Sequence, residues 1–130
     1  MNAIEQIRIK LQKFPHLHYE ETPDSITVFA ESDEGFQVQL QMNAGEYTVA
    51  FEGWHEHFDS ETEALCCFAF GLSEECRLRV TSRGMFDYRW TVQCLRNGVW
   101  QDDSETGLVL FPFWRRRRER YLQNRILPGA

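Results

Sequence analysis

The sequence predicts an α+β fold: a twisted antiparallel sheet of about six to seven strands, with an N-terminal helix, a buried central helix and a C-terminal helix packed mainly on one face. Three observations carry this. Residues 36–42 read Phe-Gln-Val-Gln-Leu-Gln-Met, an unbroken period of two that buries one face of a strand and wets the other. Ser60, with Glu63 three residues on, makes a capping box ahead of the apolar run 64–70. Asn97-Gly98, the strongest two-residue hairpin signal, follows a long alternating run and opens another strand.

Ile4, Ile7, Leu11 and Phe14 recur at steps of three and four, giving a first helix one apolar stripe until Pro15 prevents continuation. Residues 16–21 and 25–30 read as strands around the turn Thr22-Pro23-Asp24. After the strand at 36–42, Asn43-Ala44-Gly45 turns the chain into Tyr47, Val49 and Phe51, which alternate with Glu46, Thr48 and Glu52. The Ser60 helix is apolar around most of its circumference and should lie between the sheet and a second layer, with Gly71 closing it in the left-handed region.

Residues 76–83 and 86–94 then alternate on either side of Gly84. Val99 to Gln101 forms a short strand, Asp102, Asp103, Ser104 and Glu105 an acidic loop, and residues 108–111 a last apolar strand. Pro112 sits where a helix could begin, and Phe113, Trp114, Tyr121, Leu122 and Ile126 fall near one face of it. There is no internal repeat and no long linker. The chain therefore reads as one domain over 1–130, with 112–130 a basic C-terminal helix or tail. Small acidic secretion chaperones resemble it in size and rough element order, a likeness of architecture that no motif carries and that implies little about function.

Charge is strongly segregated. Residues 14–76 contain fourteen acids and no lysine or arginine, whereas residues 77–130 contain eleven arginines against five acids. With +2 from residues 1–13, the segments sum as +2, −14 and +6 to the net −6. Charges so concentrated must be paired across the fold or presented to partners. Four cysteines without a C-x-x-C, in apolar surroundings, read as free buried thiols. No apolar stretch approaches the ~20 residues of a membrane span, and charges interrupt the first fourteen residues, so no transmembrane segment or leader is expected and a cytoplasmic location follows.

Three constellations could carry chemistry. His55, His57 and Asp59 occupy alternate residues, and in an extended segment would face one side, where a divalent metal could bind; His16 and His18 repeat the alternation. A metal-binding protein or metal-dependent hydrolase would need these groups to converge. The plainer reading is solvated histidines leading into the Ser60 helix. Arg77, Arg79, Arg83 and Arg89 should share the solvated face of two strands, a ladder for a phosphate or carboxylate, unless acids such as Glu46 and Glu52 neutralise it. Arg115, Arg116, Arg117, Arg118 and Arg120 follow Phe113-Trp114. On a helix they would point all round, so that some must meet another chain.

No nucleophile elbow, phosphate loop or exposed activated cysteine is present, so no catalytic residue and no resident cofactor are expected. Trp54, Trp90, Trp100 and Trp114 read as core or edge packing, and no nucleic-acid motif accompanies the arginines. The reading that accounts for most is a non-enzymatic protein-interaction module that forms a homodimer, each basic tail (Arg115, Arg116, Arg118 and Arg120) meeting the acidic region of the other copy, with an acidic protein as a further partner. The metal site and the arginine ladder are the alternatives.

Overall fold

In the computed structural model, which describes residues 1–127, the alternating segments form two antiparallel sheets of five and four strands, and two helices accompany them. The fold is α+β as the alternation predicts, but with two sheets instead of one and no C-terminal helix among the described residues.

Helix α1 (Ala3–Leu11) begins at Asn2, whose side chain accepts the Glu5 amide at 2.9 Å, and buries Ala3, Ile4, Ile7 and Leu11. A five-stranded meander follows in sequence order: β1 (Tyr19–Thr22), β2 (Ser25–Val28), β3 (Val38–Asn43), β4 (Glu46–Phe51) and β5 (Trp54–Phe58). The β3–β4 connection is a two-residue turn in which Ala44 and Gly45 both take positive φ, 51° and 85°, the backbone twist that tight hairpins require. Glu52 and Gly53 join β4 to β5.

Helix α2 (Glu61–Leu72) starts at Ser60, whose hydroxyl accepts the Glu63 amide at 3.3 Å, as the capping pattern predicts. It lies on β3, β4 and β5 and meets both α1 and the second sheet, so most of its girth is covered while Cys66 and Ala69 stay exposed. Gly71 has another role than the left-handed closure expected of it. It lies inside the helix, which runs on to Leu72, and a Cβ there would sit 2.4 Å from the Phe51 ring. Glycine lets the helix approach that ring.

The second sheet runs in the order β8-β7-β6-β9, with β6 (Cys76–Arg83), β7 (Phe86–Arg96), β8 (Val99–Gly107) and β9 (Arg117–Leu122). Asn97 and Gly98 make the β7–β8 turn with φ of 52° and 78°. Three sequence expectations fail here for physical reasons. Residues 108–111 are not a strand, because the β8 ladder ends at Gly107 opposite Arg89 and the chain then turns across the hairpin end. The acids 102–105 are strand, not loop, because the long β7 offers backbone partners along its length and a bulge at Val92/Gln93 absorbs the odd residue. Residues 117–122 are strand, not helix, because β6 would otherwise leave an open edge beside the core. Pairing as β9 buries Leu122 opposite Leu78 and keeps the arginines in solvent, where a helix would have broken its apolar face at Arg117 and Arg118. A crossover, residues 108–116, spans the β6–β7 hairpin end: the Leu108 amide donates to the Tyr88 carbonyl, Phe111 stacks on Tyr88 at 4.2 Å, and the Gly84 amide donates to Arg116.

One apolar core joins these layers. Ile26, Val38, Leu40, Val49 and Phe51 come from the first sheet, Ala64, Phe68 and Leu72 from α2, and Leu78, Val80 and Val92 from the second sheet. Trp54 ties the sheets together through an indole hydrogen bond to Ser104 at 2.8 Å, and its ring stacks on Phe51 at 4.6 Å. The cysteines are free, but their burial is uneven: Cys76 is buried, Cys67 and Cys94 are half-buried, and Cys66 is exposed. Among the described residues no helix is long and apolar enough to cross a membrane.

Candidate functional site

The histidines lie on the first sheet. His55 and His57 are exposed on one face of β5, with ring centroids 5.5 Å apart, and His57 Nδ1 is 2.8 Å from the Thr48 hydroxyl. Asp59 follows in the exposed link to Ser60. His16 and His18 lie just before β1, at the opposite edge of the meander, and His16 is 3.1 Å from Glu31. The two pairs are therefore apart, and among the described residues no three His, Cys, Asp or Glu side chains gather as a metal would need.

The arginine ladder exists as geometry. Alternation places Arg77, Arg79, Thr81 and Arg83 on the face of β6 turned away from the core, and Arg89 lies opposite Thr81 on β7. Its neutralising acids belong to the same sheet more than to the acidic half. Arg77 Nε donates to Gln93, the Gln93 amide donates to Asp102 at 2.7 Å, and Arg79 donates to the other Asp102 oxygen at 3.1 Å. The Arg77 guanidinium is also held between the rings of Trp100 and Tyr121, 4.5 and 4.3 Å from their centroids. Hydrogen bonding from Gln93, then from Arg79, holds the Asp102 carboxyl below the usual carboxylate range. Thr81 Oγ1 and the Nε atoms of Arg79 and Arg83 are buried here with no protein partner. Most of this face is thus spoken for by its own strands.

The basic tail divides. Arg120 makes a two-pronged bond to Asp87 at 2.8 and 2.9 Å, and that guanidinium holds the Asp87 carboxyl below its ordinary value. Arg117 pairs with Glu119 at 3.0 Å. Arg115, Arg116 and Arg118 are exposed, and among the described residues no acid lies within ion-pair distance of them. Glu46 pairs with no ladder arginine, while Glu52 accepts the Gln37 amide and adds only a weaker attraction for Arg120.

Beside those three arginines stands a cluster of exposed apolar side chains. The β6–β7 turn and the crossover form a tip where Met85 is 99% exposed, Val109 92%, Leu110 86%, and Phe113 and Trp114 71% each. Phe113 and Trp114 meet edge to face at 5.3 Å. Trp114 is therefore neither core nor sheet edge, whereas Trp54 is buried as expected. The signal was present: residues 108–114 are apolar throughout, lack the polar alternation of a half-buried strand, and are cut by Pro112, which suits no central strand. Large apolar side chains so fully exposed on neighbouring loops point to a surface that meets something other than water.

Comparisons with family models, with curated proteins and with solved structures give no match to this chain.

Proposed function

We propose that the protein is a non-enzymatic interaction module that self-associates, and that the apolar tip flanked by Arg115, Arg116 and Arg118 is its working surface. The observation that carries this reading is the tip itself, five large apolar side chains held in solvent by a chain whose other large apolar side chains mostly lie in the core. Burying them would contribute about 1.5–3 kcal/mol apiece. A sum near 10 kcal/mol is comparable with the 4–15 kcal/mol estimated for lost freedom on association. The three unpaired arginines then favour an acidic counter-surface. A second copy supplies one, since the exposed segment 31–34 carries Glu31, Asp33 and Glu34, and the acids of residues 14–76 have few cations beside them.

Light scattering across the micromolar range is the test. The expected result is a mass that rises with concentration, falls with added salt, and returns to the monomer in a Phe113→Ser/Trp114→Ser variant and in Arg115→Glu/Arg116→Glu. Substitution is preferable to deleting residues 113–130, because deletion also removes β9 and opens the edge of β6. A wild-type monomer throughout the range removes self-association. Sedimentation of that monomer with anionic vesicles, lost in the same variants, would give the tip to a lipid surface instead.

A further inference from the structure

Away from the residues of the tip, α1, α2 and the segment around Ile126 leave between them an open cleft of about 270 Å³. Ile7 and Leu11 form one wall, Leu65 and Phe68 another, and Ile126 closes an end. Polar groups are scarce inside. Gln6 reaches the cleft, but its side-chain amide is committed to Glu61 at 2.7 Å and the Met1 carbonyl at 3.3 Å. An occupant must therefore present an apolar body with no need of internal hydrogen bonds.

The rim is different. Lys10 and Lys13 edge the cleft and are exposed, and among the described residues neither has an acid within ion-pair distance. They are two of the three lysines and arginines before Arg77, and the third, Arg8, is held by Glu21 at 3.0 Å. Two unpaired ammonium groups at the mouth of an apolar slot select an anionic head group over a cationic one.

We infer that this cleft binds a single-chain amphiphile with a carboxylate head: the hydrocarbon lies between α1 and α2, and the carboxylate meets Lys10 and Lys13. At about 30 Å³ per water-sized group the slot accommodates roughly nine heavy atoms, a medium-chain acid in place of a membrane lipid. The site shares no residue with the tip, so either can fail without the other.

Calorimetric titration of the full-length chain with decanoate, kept below its micelle-forming concentration, tests the inference. One molecule should bind per chain. Lys10→Ala/Lys13→Ala should weaken binding about five- to thirty-fold, the range of one or two exposed ion pairs, and decylamine should bind more weakly than decanoate. Ala69 is exposed on α2 and lines the slot, so Ala69→Trp should fill it and abolish binding while the circular-dichroism melting curve is retained. Absence of heat with the wild type, or an affinity indifferent to Ala69→Trp, overturns the proposal. So does binding that appears only when the chain is ended at Leu127, since the slot would then belong to the protein's own C-terminal residues.

Discussion

Gly71→Ala separates packing from propensity. In an exposed helix interior this change stabilises by about 1 kcal/mol, because alanine restricts the unfolded chain and favours the helix. At Gly71 the added methyl would lie 2.4 Å from Phe51 Cε1 and 2.6 Å from Cζ. The ring has nowhere to go: Phe51 is fully buried, with Phe36 at 5.3 Å and Trp54 stacked at 4.6 Å. Overpacking of a close-packed core costs about 1–3 kcal/mol, so after the propensity gain the variant should lose up to about 2 kcal/mol. Shortening the ring relieves the clash. Phe51→Leu alone should cost about 1–2 kcal/mol for the lost packing, but within that background Gly71→Ala should become neutral or stabilising. The resulting coupling is about 1–3 kcal/mol, measurable by urea unfolding of the four proteins followed by circular dichroism. If Gly71→Ala stabilises the wild type by the full propensity increment, α2 does not approach β4 this closely.

Three further outcomes follow from the same geometry. Asp87→Asn should cost no more than about 1 kcal/mol near neutrality, since both partners are partly exposed; because the folded carboxyl titrates below its unfolded value of about 3.9, the contribution is present above that value and lost as pH falls through the lower folded one, so wild type and variant should converge in acid unfolding curves. Ala44→Asn should raise stability by about 0.5 kcal/mol, as asparagine tolerates the left-handed backbone that Ala44 holds at φ 51°; a loss in thermal melts would mean that the turn is built differently. With iodoacetamide at mildly alkaline pH, exposed Cys66 should be labelled first, whereas burial pushes the Cys67 thiol up to about 12 and raises Cys76 as well, so both should wait for unfolding; mass spectrometry showing Cys76 modified at the rate of Cys66 would contradict its burial.

Local rules were enough for the first half of the chain. The apolar stripe Ile4, Ile7, Leu11, the Gln-punctuated strand before Asn43, and the Ser60 cap are each decided within a few residues, and all stand. What lay beyond local reading depends on partners distant in sequence. Residues 117–122 are mostly good helix formers, and the open edge of β6, some 40 residues earlier, overrides that preference and makes them a strand. Asp102 and Glu105 resemble loop residues until Gln93 and Thr91 stand opposite to receive them. Among the candidate site residues, the shared face of Arg77, Arg79 and Arg83 was legible from period two. That Trp100 and Tyr121 would enclose Arg77 was not, because it requires the order β8-β7-β6-β9.

That strand order also changes what charge segregation means. Opposite poles along the chain suggested that the arginines of residues 77–130 would seek the acids of 14–76. Instead, the second sheet neutralises much of itself: Asp102 serves Arg79, Asp87 serves Arg120 and Glu119 serves Arg117. Of the cations left without an acid, Arg115, Arg116 and Arg118 lie next to the exposed tip, while Arg77 and Arg89 rest on aromatic rings, and the acids left over lie mainly in residues 14–76, where Glu21 and Glu31 are among the few that meet a basic group. Internal pairing thus leaves three adjacent or near-adjacent positive charges unbalanced beside the unburied apolar surface. Complementary charge governs how fast and in which orientation two surfaces meet, and apolar burial governs how long they stay. Reversing Arg115 and Arg116 to Glu should therefore slow association and invert its salt dependence, because salt then screens a repulsion, while truncating Phe113 and Trp114 should speed dissociation.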